Sequence, residues 1–109
     1  MDEQAINRMM MHFEQLLRKT NREHINPQIQ AISLADLKPI VNVVARCRAS
    51  YLKHMVDLCK KYDGSDDLPS TEELCELSEL RSRFTDMSEG AKAFETCIQR
   101  GYIDLKVDH

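Results

Sequence analysis

The sequence contains few of the residues that form tight turns, with three glycines and three prolines in 109 residues. A fold built from many short strands needs turn chemistry between them, so this scarcity disfavours a sheet-rich protein. The residues that dominate the chain, Leu, Met, Ala, Glu, Lys, Arg and Gln, are the better helix formers. The composition therefore predicts an all-α protein.

Long apolar runs are also missing, and none approaches the roughly 18–20 residues that a membrane-spanning helix requires. Acidic Asp2 and Glu3 occupy the region where a signal peptide carries positive charge. The four cysteines form no close pair, and we expect reduced, mostly core-facing thiols. They are Cys47, Cys59, Cys75 and Cys97. These features predict a cytoplasmic protein without a membrane contact.

The chain is long enough for one domain, which we place over residues 1–109.

The charge of the chain is unevenly distributed. Residues 1–62 hold ten Lys/Arg and six Asp/Glu, a net +4, whereas residues 63–109 hold five and twelve, a net −7. Such asymmetry indicates either a basic face for an acidic partner or two halves that attract each other.

The first helix is predicted over about 3–20 from an apolar stripe at helical spacing, with Asp2 as its N-cap. The stripe consists of Ile6, Met9, Met10, Phe13, Leu16 and Leu17. Pro27 lacks an N–H and restricts Asn26 to non-helical angles, so we expect a loop over 21–33 with at most a short extended piece.

A second helix is predicted to end at Asp63-Gly64. Ser33 and Asp36 have the spacing of a capping box, but Pro39 lies inside the following pattern. We therefore expect a separate turn over 34–37 and a long helix from about Pro39, with one kinked helix as the alternative.

A third helical region is predicted over 71–100, either as two helices or as one bent helix. Ser70 and Glu73 form a capping box at its start, and Gly101 fits the position after its end. The tail alternates apolar and polar residues over 102–108, which is typical of a strand. Its partner would be segment 28–32 or the tail of a second subunit, unless the tail is frayed.

These elements predict an irregular antiparallel bundle of three or four helices, with a short C-terminal strand if the tail is ordered. The predicted core residues are Ile6, Phe13, Leu17, Ile40, Val44, Tyr51, Met55, Leu58, Leu77, Phe84, Phe94 and Ile98.

The sequence contains no constellation that predicts catalysis. It lacks the glycine-rich phosphate-binding motifs, and its acidic residues fall mostly on the outer faces of the predicted helices. Cys47, His54 and Cys59 share one helix and cannot surround a zinc ion alone. The acidic loop after Asp63 departs from the EF-hand pattern at its sixth and twelfth positions. We expect no catalytic site, no cofactor and no metal ion.

The predicted second helix carries an apolar band wider than one neighbouring helix would cover, with Val41, Val43, Leu52 and Val56 beside its central stripe. Surplus apolar surface in a small chain favours a protein partner or a second copy. Our leading hypothesis is a non-catalytic protein–protein interaction module, an adaptor or regulator that forms a homodimer. The alternative is a nucleic-acid-binding regulator that uses the basic face of the first two helices, including Arg46, Arg48 and Lys53, although the pI of about 5.8 disfavours it.

Overall fold

The computed structural model describes residues 2–107, and it is 75% helical. This range contains three helices, α1 (Glu3–Ile25), α2 (Leu34–Lys61) and α3 (Thr71–Gln99). It also contains two short strands, β1 (Ala31–Ile32) and β2 (Asp104–Leu105). The prediction of an all-α, bundle-like fold is confirmed, and two of the helices pack against each other. None of these helices combines the length and the apolar character that crossing a membrane demands.

The chain is organised as two compact units. One unit comprises Met1–Leu37 and Phe94–His109, and the other comprises Lys38–Ala93. The assignment of residues 1–109 to a single domain stays a prediction.

Helix α1 begins as predicted and ends later than predicted. The Asp2 carboxylate accepts a hydrogen bond from the Ala5 N–H at 2.7 Å, which caps the first turn. The helix continues to Ile25, and Asn26 keeps helical angles (φ −56°, ψ −42°). The expected loop over 21–33 was therefore wrong for its first five residues. Because Pro27 follows the cap residue, its missing N–H removes no bond from the helix interior.

Helix α2 is one continuous helix that includes Pro39, so the prediction of a separate turn over 34–37 was wrong. Ser33 and Asp36 cap each other at its start. The Asp36 carboxylate accepts from the Ser33 N–H at 2.9 Å, and the Ser33 Oγ accepts from the Asp36 N–H at 3.1 Å. The bond from the Ser33 N–H also lowers the pKa of Asp36. This reciprocal cap starts the helix five residues before Pro39 and stabilises the first turn.

Helix α3 is also continuous, which settles the question of one helix or two. Its capping box is present, because Glu73 accepts from the Ser70 N–H at 2.9 Å and Ser70 Oγ accepts from the Glu73 N–H at 3.2 Å. At the other end Gly101 has a φ of +75°. The Tyr102 N–H donates to the Cys97 carbonyl at 2.8 Å, which closes the helix end as predicted.

Within the unit Lys38–Ala93, α2 and α3 form an antiparallel hairpin. The rings of Tyr51 and Phe84 stack with centroids 6.2 Å apart, and Lys61 pairs with Glu73 at 2.8 Å near the connecting loop. Buried Val44 and Leu58 lie seven residues before and after Tyr51 and share its side of α2.

In the other unit, β1 and β2 pair in parallel, with Ala31 beside Asp104 and Ile32 beside Leu105. This pairing confirms a short C-terminal strand and places its partner within segment 28–32. The strand covers Asp104–Leu105 of the predicted 102–108, and residue 108 lies outside the described residues. Arg22 of α1 donates to the Gly101 carbonyl at 2.6 Å and to both Asp104 oxygens at 2.9 and 3.1 Å. The bonds from Arg22 lower the pKa of Asp104.

The core is small. Among residues 2–107 only six are buried, namely Ile32, Ser33, Val44, Leu58, Tyr102 and Ile103. The core prediction is confirmed for Val44 and Leu58, and seven further predicted residues are half-buried. These seven are Leu17, Ile40, Tyr51, Leu77, Phe84, Phe94 and Ile98.

Several residues that we predicted to face the core are exposed instead. Ile6, Phe13 and Met55 are exposed, because helical spacing aligns apolar side chains without supplying a surface to cover them. All four thiols are free, but Cys59 and Cys75 are exposed instead of core-facing.

Candidate interaction surface

One side of α2 exposes an apolar surface, which we call the α2 face and define as Val41, Leu52, Met55 and Val56. These side chains are 65%, 53%, 41% and 51% exposed. The spacing of 11, 14 and 15 residues from Val41 places them along one side of the helix. The side that bears Val44, Tyr51 and Leu58 is turned towards α3. The α2 face is therefore a second apolar side of the same helix.

A comparable surface lies on α1, which we call the α1 stripe and define as Ile6, Met9, Met10, Phe13 and Leu16. Their exposed fractions lie between 46% and 59%, and α1 contains no buried residue. The sequence predicted this spacing but assigned two of the residues to the core. Such a regular apolar stripe is typical of a helix that packs against another helix or sheet.

The structure separates Val43 from the other predicted interaction residues. Val41, Leu52 and Val56 are exposed on the α2 face, whereas Val43 is half-buried. Val43 lines a cavity of about 260 Å³ together with Arg46, Cys47, Ser50, Leu80 and Arg83. A residue two positions after Val41 points to the opposite side of the helix, so the two valines cannot belong to one face.

Two of the three predicted basic residues of α2, Arg48 and Lys53, make contacts within the chain. The Arg48 guanidinium lies 5.2 Å from the ring centroid of Phe84, in the geometry of a cation–π contact. Lys53 pairs with Asp57 at 2.9 Å, and this bond lowers the pKa of Asp57. Arg46 is exposed and lines the 260 Å³ cavity. These contacts compete with phosphate for Arg48 and Lys53, and the three side chains form no continuous basic stripe.

Titratable side chains gather near the loop between α2 and α3, around a cavity of about 170 Å³. The cavity is lined by His54, Asp57, Leu58, Lys61, Glu73 and Glu76. Glu73 accepts hydrogen bonds from Lys61 Nζ at 2.8 Å, from the Tyr62 hydroxyl and from the Ser70 N–H. The Lys61 and Tyr62 bonds lower the pKa of Glu73 to about 2, and the bond to Glu73 raises the pKa of Tyr62.

The hydrogen bonds of this cluster favour a structural role over a role in proton transfer. A general acid or base works best when its pKa lies near the operating pH, whereas Glu73 and Asp57 are both held ionised by their partners. His54 Nε2 is enclosed and has no hydrogen-bond partner in the described part of the chain. Between residues 2 and 107, no three His, Cys, Asp or Glu side chains converge to hold a metal ion.

The α1 stripe is the surface that sequence reasoning missed. Helical spacing alone assigned Ile6 and Phe13 to the core, although the sequence also contains a feature that is typical of binding surfaces. Met9, Met10 and Met11 are consecutive, and methionine is common at adaptable binding surfaces as well as in cores. No family model, curated protein or solved structure that we compared with this chain matches it.

Proposed function

We propose that this protein is a non-catalytic protein–protein interaction module, a small adaptor or regulator that acts as a homodimer. The observation that carries the proposal is the contrast between a small core and two exposed apolar helix surfaces. Six described residues are buried, whereas the α1 stripe and the α2 face together expose nine large apolar side chains. Exposed apolar patches on a protein surface often mark sites of protein interaction.

The chemistry around these surfaces supports binding over catalysis. In the best-defined polar cluster the Glu73 carboxylate is occupied by hydrogen bonds from Lys61 at the end of α2, from Tyr62 and from the Ser70 N–H. The apolar surfaces, in contrast, lie on the sides of regular helices, where a partner helix can pack along several turns. The free thiols fit the reducing cytoplasm, which is where we place the protein.

The experiment is sedimentation equilibrium of the wild type and of variants with one charge on each surface. Phe13→Glu changes the α1 stripe and Leu52→Glu changes the α2 face, and both side chains are at least half exposed, so the fold should tolerate them. We expect the wild type to associate and at least one of the variants to be monomeric. Burying an unpaired carboxylate in an apolar interface is strongly unfavourable.

The matched control is Gln15→Glu, which adds the same charge on the side of α1 away from the stripe. Gln15 is exposed and lies away from the stripe, so this variant should associate as the wild type does. Circular dichroism of all four proteins establishes that helix content is unchanged. A wild type that is monomeric at tens of micromolar would contradict the proposed homodimer.

A further inference from the structure

The cavity of about 260 Å³ lies between α2 and α3, within the unit Lys38–Ala93. Its lining residues on α2 follow each other at helical spacing, as do the two on α3, so each helix contributes one side to the cavity. These residues are Val43, Arg46, Cys47 and Ser50 of α2 and Leu80 and Arg83 of α3. The cavity is separate from the α2 face, because none of the four residues of that face lines it.

Two arginines bring positive charge to this cavity from opposite helices. Arg46 and Arg83 are both exposed, and neither side chain forms a hydrogen bond or an ion pair with a residue between 2 and 107. Glu79 and Asp86 are near Arg83 along α3, four positions before it and three after it, but they leave it unpaired. Both guanidinium groups are therefore available to a ligand.

A second cavity that contains two arginines, of about 210 Å³, is less suited to an anion. It is lined by residues of α1 and by Arg100 and Tyr102, which follow α3. Glu14 brings a carboxylate to its wall, and Arg18 Nε donates to the Arg100 carbonyl at 3.2 Å. A carboxylate repels an anion, and a guanidinium group that is already bonded offers fewer donors. No carboxylate lines the 260 Å³ cavity among the residues that the structure describes.

The donors around the 260 Å³ cavity suit a phosphate group better than a carboxylate. One guanidinium group donates two parallel hydrogen bonds, which satisfy both oxygens of a carboxylate. A phosphate monoester carries a charge of about −1.5 to −2 at pH 7 and three strongly accepting oxygens. Two guanidinium groups together with the Ser50 hydroxyl match that charge and that number of acceptors. Val43 and Leu80 provide apolar surface for the organic group of the ester.

We propose that this cavity binds a small phosphate monoester, with Arg46 and Arg83 holding the phosphate and Val43 and Leu80 contacting its organic group. The volume of about 260 Å³ lies just below the roughly 300–1,000 Å³ of sites for drug-sized ligands, so a compact ligand fits. The proposal goes beyond the interaction function and does not depend on it, because the lining residues belong to neither the α1 stripe nor the α2 face.

The test is isothermal titration calorimetry at low salt with phenyl phosphate, an aromatic phosphate monoester. The wild type should bind it. Arg46→Gln and Arg83→Gln should each weaken binding by roughly tenfold or more, because each removes charge-assisted hydrogen bonds to the phosphate. Arg81→Gln is the matched control, since Arg81 is exposed on α3 and does not line the cavity, and it should change the affinity by less than about twofold. Circular dichroism establishes that all variants keep their helix content.

The reactivity of Cys47 gives a second readout. Cys47 is half-buried and lines the cavity, so phenyl phosphate should slow its alkylation by N-ethylmaleimide, measured by peptide mass spectrometry. Cys59 and Cys75 are exposed and do not line the cavity, so their alkylation rates should not change. The two exposed thiols are therefore internal controls in the same sample.

Four results would overturn the inference. Phenyl phosphate that does not bind at millimolar concentration, or that binds the three arginine variants alike, would exclude a phosphate site in this cavity. Benzoate that binds as tightly as phenyl phosphate would show that the site selects a carboxylate. A phosphoserine peptide that binds more tightly than phenyl phosphate would assign the phosphate to a partner protein instead of a small molecule. None of these results bears on the homodimer, which sedimentation equilibrium tests separately.

Discussion

Glu73 connects three parts of the helical hairpin through a single carboxylate. It accepts hydrogen bonds from Lys61 at the end of α2, from Tyr62 in the connecting loop and from the Ser70 N–H before α3. The sequence predicted only the Ser70 bond, because a capping box is a local pattern. The bonds from Lys61 and Tyr62 depend on the conformation of the loop over 62–70. The spacing of residues in the sequence does not predict that conformation.

The lowered pKa of Glu73 predicts a pH-dependent stability. In the folded protein the pKa is about 2, below the usual 4.5, so the ionised form is favoured by folding. This contribution is fully present above about pH 4.5 and is lost as the pH falls towards 2. Thermal unfolding between pH 7 and 2 should show that the melting temperature of Glu73→Gln is lower at neutral pH and falls less steeply on acidification. Parallel curves for the two proteins would contradict this role of the carboxylate.

His54 gives a second prediction at the residue scale. Its Nε2 atom is enclosed without a partner in the described part of the chain, and an unsatisfied buried polar atom is destabilising. We expect His54→Leu to raise the free energy of unfolding by about 1 kcal/mol in urea denaturation at neutral pH. His24→Leu, at an exposed position of α1, serves as the control and should stay within about 0.5 kcal/mol of the wild type. A less stable His54→Leu protein would indicate that the imidazole has a partner in solution.

At the scale of the elements, the sequence predicted helix starts better than helix continuity. Asp2, Ser33 and Ser70 all cap as their local patterns indicated. Pro27 and Pro39 were overinterpreted. Pro27 follows the cap residue of α1, where its missing N–H removes no helical bond, whereas Pro39 lies inside α2 and the helix continues through it. The strand partner of the tail was predictable by elimination, but the strands proved to be only two residues long.

Two glycines at the C-terminal part of α3 should respond to alanine in opposite directions. Gly101 has a φ of +75°, where a Cβ is strained although no atom lies within 4 Å, so Gly101→Ala should cost about 1–2 kcal/mol. Gly90 lies inside the helix with open space at its Cβ position, so Gly90→Ala should stabilise by about 0.5–1 kcal/mol. Urea denaturation of both variants measures the difference. Effects of the same sign would contradict the assignment of Gly101 as the residue that ends α3.

At the scale of the whole molecule, the sequence predicted amphipathic helices but not which apolar sides stay open. We expected that no neighbouring helix would cover Val41, Leu52 and Val56, and all three are exposed. Ile6 and Phe13 were expected in the core and are equally exposed. The spacing of apolar residues indicates that a helix has an apolar side. Whether that side is buried depends on its tertiary neighbours, which the spacing does not specify.

An association that covers one of the two apolar helix surfaces should make stability depend on protein concentration. Because only six described residues are buried, interface contacts should form a large share of the apolar packing in the dimer. The melting temperature of the wild type should therefore rise by a few degrees for each tenfold increase in concentration. The melting temperature of whichever variant, Phe13→Glu or Leu52→Glu, is monomeric should stay constant. A wild-type melting temperature independent of concentration from micromolar to hundreds of micromolar would argue against coupled folding and association.

The central claim, that this chain is an interaction module that works as a homodimer, is tested most directly by its mass in solution. Light scattering across a concentration series should show the mass rising from 12.6 kDa towards twice that value, with a plateau at the dimer. A mass that stays at 12.6 kDa at every concentration would contradict the claim.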